Sequence, residues 1–142
     1  MLSVKHSPLF GAAIWLVSGA LPLMGAAVES LDSLKITEVV RVAQVLNAST
    51  KKSKPARPNE MFNAPDALST GPDSRVEMVS ADGTITRVGA NSLFHFAPGK
   101  REVNLEKGCV LFQSPTGKGG GVIRTPSATA AVIGTSIIVT AT

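Results

Sequence analysis

The chain has 142 residues and a formal net charge of +4, with one cysteine, two histidines and no tyrosine. This length accommodates one domain, and a single cysteine excludes a disulfide framework within the chain. The positive charge is concentrated in one loop, at Lys51, Lys52, Lys54 and Arg57. A nucleic-acid-binding domain spreads basic residues over a face and interleaves aromatic ones. We therefore expect no nucleic-acid partner.

The N-terminal segment has the three parts of a secretory signal peptide. Lys5 supplies the positive start, an uncharged run follows from Ser7 to Val28, and the small residues Gly25-Ala26-Ala27 close the run. We predict a signal peptide at 1–27, cleaved after Ala27, and hence a periplasmic or secreted protein. The alternative is an uncleaved anchor, since about 20 apolar residues are enough to span a bilayer. A membrane is a partner only in that case.

Residues 28–59 are expected to form a first strand and a basic loop. The segment 33–47, SLKITEVVRVAQVLN, is rich in β-branched residues, which favour a strand over a helix. Pro55 and Pro58 interrupt regular structure in the loop 47–60. We expect this loop to be solvated; the alternative role is electrostatic attraction to an anionic envelope surface.

From Met61 onward, short apolar runs alternate with turn residues. Strands spaced about 8 to 12 residues apart are typical of an all-β domain, here a jelly-roll-like sandwich or roll over 60–142. The runs lie near 61–70, 74–81, 84–88, 92–97, 101–105, 108–114, 121–125, 127–132 and 136–141. The final run, GTSIIVTAT, reads as a strand without a polar stop, so we expect a shortened C-terminus.

The most regular segment is RVEMVSADGTITRV, residues 75–88, which predicts a β-hairpin. Asp82-Gly83 is typical of a two-residue type I′ turn, with Ala81 and Thr84 flanking it. In the second arm Ile85 and Arg87 share one face, and the sequence leaves open whether that face or the opposite one is the core.

Candidate chemical sites are sparse. His95 lies between Phe94 and Phe96 and is expected at the surface, and together with Cys109 it does not reach the ligand number of a zinc site. Cys109 is expected to be a small buried apolar residue. The stretch SPTGKGGG, 114–121, lacks the spacing of a phosphate-binding loop and is interpreted as a flexible hairpin loop. Hydroxyl groups lack an activating base. We predict no enzyme, no cofactor and no metal.

An ordered set of turn and strand residues runs through the second half of the chain. Its members are Gly71, Ser74, Arg75, Asp82, Gly83, Thr84, Arg87, Gly89, Asn91, Gly108, Gly134 and Thr135. In this order they resemble a FecR domain over residues 60–142. We assign them structural roles: the glycines at positive φ or at close approaches, and Asn91 at a left-handed position or a cap. Arg75 and Arg87 are expected to pair at the surface with Glu77 or Asp82.

The resemblance implies an extracytoplasmic, jelly-roll-like module of bacterial envelope proteins. In the best-known members it carries a signal from an outer-membrane iron-siderophore transporter to a cytoplasmic sigma factor. Only six residues precede the apolar run here, too few for the anti-sigma segment of those members, so we do not carry iron signalling over. We predict a non-enzymatic interaction module that binds an envelope protein through exposed sheet edges. The alternative is a β-sandwich that binds carbohydrate or cell wall.

Overall fold

The structure is a computed structural model that describes residues 28–142, so the predicted signal peptide at 1–27 lies outside the described residues. The described part contains twelve strands and no helix, which confirms the all-β prediction. The strands are β1 (Ser33–Val40), β2 (Ala43–Leu46), β3 (Ser53–Pro55), β4 (Met61–Asn63), β5 (Ala67–Thr70), β6 (Arg75–Ser80), β7 (Ile85–Val88), β8 (Leu93–Phe96), β9 (Glu102–Gln113), β10 (Gly121–Arg124), β11 (Thr129–Val132) and β12 (Ser136–Ala141).

The strands form one curled sheet with two halves that share β9. The first half has the order β4-β1-β6-β7-β9-β12, and the second has the order β3-β2-β5-β8-β9-β10-β11. The N-terminal part of β9 pairs with β8 and β10, and its C-terminal part pairs with β7 and β12. Each pairing is antiparallel except that of β9 with β10. A curled continuous sheet does not by itself establish the jelly-roll-like sandwich, which stays a prediction.

The curl brings the inner faces of the two halves onto one hydrophobic core. Phe62 on β4 lies 5.7 Å from Phe94 and 6.1 Å from Phe96, both on β8, measured between ring centroids. The rings of Phe94 and Phe96 meet edge to face at 5.3 Å. Aromatic pairs of this geometry add to the stability gained from burying their surface. This cluster therefore connects a strand of the first half to a strand of the second.

The predicted strand 33–47 is divided into β1 and β2. Arg41 has a φ of 61°, a left-handed conformation that ends the extended backbone between them. β1 then pairs with β6 in the first half, whereas β2 pairs with β5 in the second. The predicted loop 47–60 also contains a short strand, β3, which ends at Pro55 and tolerates a proline because it lies at an edge of the sheet.

The runs 101–105 and 108–114 are one strand, β9, of 12 residues. The predicted turn at Lys107-Gly108 is a point within that strand, where Gly108 has a φ of +94° and the strand passes from one half of the sheet to the other. The hairpin loop predicted at 114–121 does not form. Its last residue, Gly121, begins β10, and β10 runs parallel to β9, so the prediction is wrong.

The hairpin of β6 and β7 forms, but with a different turn from the predicted one. Ser80 N donates to Thr84 O at 2.9 Å, and Gly83 N donates to Ser80 O at 3.0 Å, so the loop has three residues. Gly83 has a φ of +85°, whereas Asp82 is not among the residues with positive φ. This is the pattern of a type I turn followed by a left-handed glycine. The predicted two-residue type I′ turn is therefore wrong.

The structure also decides which face of β7 lies in the core. Thr84, Thr86 and Val88 are buried, and Ile85 and Arg87 point away from the core. Two threonines thus occupy core positions, which a pattern based on hydrophobicity alone does not identify.

Candidate functional site

The chain crosses between the two halves of the sheet at four neighbouring places, which we call the corner: residues 41–42, 71–74, 89–92 and 108. Gly71 N donates to Val42 O at 2.9 Å, and Asn91 N donates to Gly71 O at 3.1 Å. Ser74 Oγ accepts the N–H of Val42 at 3.0 Å. Crossing segments leave the strand ladders, so their backbone groups need such partners.

Buried hydroxyl groups complete the corner. Thr70 Oγ1 accepts the N–H of Ser92 at 3.0 Å and donates to Gly89 O at 2.6 Å. Ser92 Oγ accepts the N–H of Cys109 at 3.0 Å. Both hydroxyl side chains are buried. Short hydroxyl side chains bond readily to nearby backbone groups, which suits them to places where a ladder is interrupted.

Two residues of the predicted motif have the backbone roles expected of them at the corner. Asn91 has a φ of +51°, which confirms its left-handed position. A Cβ at Gly108 would overlap Ser92 Oγ and lie 2.5 Å from Ser92 Cα. Gly108 is thus required both by its positive φ and by the close approach of the chain at Ser92.

Three other motif glycines do not have the role expected of them. A Cβ at Gly71 or Gly89 would meet its nearest neighbour at 3.5 Å, an ordinary van der Waals contact. A Cβ at Gly134 would meet nothing within 4 Å. None of the three has a positive φ. For these positions the expectation of a special backbone angle or an obstructing contact is wrong.

A buried ion pair holds the hairpin turn. Arg101 Nη1 lies 2.6 Å from Asp82 Oδ2, and the side chains of Arg101 and Asp82 are 7% and 2% exposed. Asp82 also accepts the backbone N–H of Thr84 at 2.9 Å, the Thr84 hydroxyl at 3.0 Å, and the hydroxyl of Ser80. The carboxylate is therefore surrounded by donors, as a buried charge requires.

Each of the five N–H groups of the Arg101 guanidinium has an acceptor. Besides Asp82 these are Gly120 O at 2.7 Å, Glu29 O at 2.8 Å, Thr84 Oγ1 at 2.8 Å and Ser114 Oγ at 3.2 Å. Arg101 precedes β9 and Ser114 follows it, so one side chain joins both ends of this strand to the hairpin turn. No lysine can provide this planar set of donors.

The surroundings of Asp82 change its acidity. Burial acts to raise the pKa of Asp82, but hydrogen bonds from Ser80, Thr84 and Arg101 outweigh burial and lower the pKa to about 2. A perturbed carboxyl can indicate a catalytic group. Here the shift stabilises the charged form, and every described neighbour is a donor that holds it in place, so the pair has a structural role.

Of the two motif arginines, one has an expected partner and the other does not. Arg87 pairs with Glu77 at 2.6 Å, whereas Arg75 pairs with Glu38 at 3.2 Å. Hydrogen bonds from Arg87 and Thr37 lower the pKa of Glu77. The partner of Asp82 is Arg101, which sequence reasoning missed. No local pattern identifies it, because Arg101 follows a turn, Pro98-Gly99-Lys100, that is typical of exposed residues.

Residues 28–142 contain no group of three or more His, Cys, Asp or Glu side chains placed to hold a metal ion. Cys109 is half-buried on β9, so it is less enclosed than expected. His95 is half-buried on β8, with its backbone between Ala67 and Asn104. A surface groove of about 670 Å³ is open and lies over β1, with Glu29, Asp32, Lys35 and Met61 along it.

Four strands have only one partner strand in the described part of the chain: β3, β4, β11 and β12. Exposed edges invite pairing with another chain, and proteins usually protect them with charge, proline or short length. β3 carries Lys54 and Pro55, and β4 has three residues. These two edges are therefore protected.

The edges of β11 and β12 lack this protection. Residues 125–142 carry no charged side chain, and β12 is six residues long without a proline. Ile138, in the middle of β12, is 67% exposed. The β12 edge is the longer of the two and is the surface of this fold that best fits an added strand.

Comparison with known proteins agrees with this architecture. A family model described as FecR protein matches residues 66–142, which is more than half of the chain. The chain belongs to the FecR family. The FecR match begins just before β5 and includes the corner segments 71–74, 89–92 and 108, the Asp82–Arg101 pair and the β12 edge. No curated protein and no solved structure matches the chain.

Membership of the FecR family indicates an extracytoplasmic module related to signalling in the cell envelope. In residues 28–142, no helix is long and apolar enough to cross a membrane.

Proposed function

We propose that this chain is an exported, non-enzymatic FecR-family module that acts by protein–protein contact in the bacterial cell envelope. The open β12 edge carries the proposal. Its unpaired backbone groups can add a strand from another chain, and its apolar side chains give that strand a surface to pack on. Surface pairs of Arg75 with Glu38 and of Arg87 with Glu77, together with the buried Asp82–Arg101 pair, join neighbouring segments of the sheet, an arrangement suited to a rigid support.

The alternative, binding of carbohydrate or cell wall, is supported less well. Proteins that bind sugars on a β-sandwich usually present exposed aromatic rings for stacking. The phenylalanines of residues 28–142 are Phe62, Phe94, Phe96 and Phe112, and all of them are buried in the core. The described surface therefore has no aromatic platform for a sugar ring.

The test is chemical cross-linking in intact cells that produce the full-length chain with a C-terminal tag, followed by mass spectrometry of the purified adducts. Ile138→Lys places a charge on the β12 edge, and Lys35→Glu changes a charge on β1, away from it. We expect specific protein adducts in the wild type and in Lys35→Glu, and their loss in Ile138→Lys. Recovery of peptidoglycan or glycan without a protein adduct would contradict the proposal and favour the alternative.

A further inference from the structure

The hydrophobic core is incomplete along β12. Its core-facing residues Ile137 and Val139 are only half-buried, although both pack against the core. On the neighbouring strand β9, the core-facing residues Val110 and Phe112 are almost fully buried. Apolar side chains at an edge gain stability when another strand covers their open side. The core thus ends at β12 with apolar surface still open.

The backbone groups of β12 that face the open side can be identified from the neighbouring pairs. Antiparallel strands alternate between residues that bond to one neighbour and residues that bond to the other. Gly89 N donates to Cys109 O at 2.9 Å, so the odd-numbered residues of this part of β9 bond toward β7. Ser114 N donates to Thr135 O at 2.8 Å, so the even-numbered residues bond toward β12.

The register of β12 on β9 then identifies which backbone N–H and C=O groups of β12 face the open edge. Val110 is opposite Val139 and Phe112 is opposite Ile137, so Ile137 and Val139 direct their N–H and C=O groups to β9. The intervening residues direct theirs to the open edge; they are Ser136, Ile138 and Thr140.

The sequence of β12 is complementary to itself in an antiparallel arrangement. If the strand pairs with a second copy about Ile138, that residue faces the partner's Ile138. Ile137 then faces the partner's Val139 on the core side, and Ser136 faces the partner's Thr140 on the outer side. β-Branched residues thus meet β-branched residues, and hydroxyls meet hydroxyls, which are favourable cross-strand pairs. No charge occurs in residues 125–142, so like charges do not meet across the axis.

We propose that β12 pairs with β12 of a second copy of this chain, across a two-fold axis at Ile138. This inference rests on the proposed contact function and names its partner. Ser136, Ile138 and Thr140 exchange backbone hydrogen bonds with the second copy, and the two cores become continuous through Ile137 and Val139. Because one short strand forms the contact, the dissociation constant is expected on the order of micromolar.

β11 is less suited to this role. It has four residues, and its core-facing side chains are Ala130 and Val132, of which Val132 is already buried. An added strand would cover little further apolar surface there. Ile133 is 96% exposed but lies between β11 and β12, outside both strands, which makes it a matched control.

The experiment is sedimentation velocity on the exported protein, produced from the full-length coding sequence, over a concentration series that reaches on the order of 100 μM. Ile138→Lys and Ile138→Glu each place like charges directly opposite one another at the axis, so each should raise the dissociation constant about tenfold or more. An equal mixture of the two variants places opposite charges there and should restore association. Ile133→Lys should dimerise like the wild type.

A wild-type protein that is monomeric at the highest concentration would overturn the inference. So would a dimer that persists in both Ile138 variants, or a mixture of the two that does not associate. If cross-linking in cells instead finds a different protein on β12, the self-pairing is wrong and the proposed contact function stands. If neither a second copy nor another protein is found, both fail.

Discussion

Arg101 Nη1 contacts Asp82 Oδ2 at 2.6 Å, with both side chains almost completely removed from solvent. This pair joins the turn between β6 and β7 to the beginning of β9, and through Ser114 to the end of β9. The hairpin that carries the Asp-Gly-Thr sequence is thereby fastened to the strand that connects the two halves of the sheet. The consequences can be measured as changes in stability.

Replacing the arginine should destabilise the protein strongly. Arg101→Met leaves Asp82 buried without its charged partner, and breaking a buried pair in this way costs about 3–5 kcal/mol of unfolding free energy. Urea unfolding followed by circular dichroism measures the change. The matched control is Arg75→Met, which removes an exposed pair with Glu38 and should leave the unfolding free energy close to that of the wild type. Equal losses in the two variants would contradict the structural role of Arg101.

Lowering the pH should reduce the unfolding free energy of the protein, because it protonates Asp82. The folded-state pKa of Asp82, about 2, lies below the usual aspartate value of 3.8. The stabilisation is therefore present above about pH 4 and is lost as the pH falls from about 4 to about 2, by about 2 kcal/mol in total. Unfolding free energies of the wild type and Asp82→Asn should be compared between about pH 2 and pH 6.

The pKa values of Glu77 and Asp32 are also lowered, so these two groups contribute to the pH dependence of both proteins. Subtracting one pH curve from the other removes their contribution and leaves that of Asp82. The advantage of the wild type over Asp82→Asn should shrink as the pH falls. A difference that stays constant across this range would show that Asp82 does not titrate as described.

The corner should tolerate no side chain at Gly108. Gly108→Ala forces a Cβ against Ser92 at a residue with a φ of +94°, so we expect a loss of at least about 2 kcal/mol of unfolding free energy. Gly134→Ala is the matched control, because that position is open and has no positive φ; its effect should stay within about 0.5 kcal/mol. Chemical denaturation measures both, and a tolerated Gly108→Ala would argue against the close approach at the corner.

Two threonines on the same face of β7 should respond in opposite directions to valine. Thr86 Oγ1 is buried and lacks a hydrogen-bond partner in residues 28–142, so Thr86→Val should raise the unfolding free energy by about 1 kcal/mol. Thr84 Oγ1 bonds to Asp82 and Arg101, so Thr84→Val should lower it by about 1–3 kcal/mol. Thermal and urea unfolding of both variants give the comparison. The same sign for both would refute the assigned bonding.

Sequence reasoning located several strands in the C-terminal part of the chain well. The runs 84–88, 92–97, 121–125 and 136–141 enclose β7, β8, β10 and β12, because apolar residues and the turns that separate them are local features. It failed where a strand bends between the two halves of the sheet. Gly108 has the residue type of a turn but lies within β9, and the break at Arg41 occurs at a residue type that does not usually mark one.

Some features of the candidate site are likewise visible in the sequence, whereas others depend on the fold. The uncharged segment 125–142 is visible in the sequence, but its status as an open edge depends on which strands are neighbours. The pairing of Asp82 with Arg101 joins residues whose separation follows no helical or strand period. Local patterns therefore suggested Arg75 or Arg87 as partners of Asp82, and only the folded chain identified Arg101.

By itself, the sequence determined the all-β class, the resemblance to FecR domains and the approximate strand positions, since these depend on residues close together in the chain. The tertiary structure decided where β1 and β2 separate, that β9 is continuous, which residue neutralises Asp82 and which edges remain open. These features depend on contacts between distant segments, and the free energy of such contacts outweighs the weaker preferences of each residue for a turn or a strand.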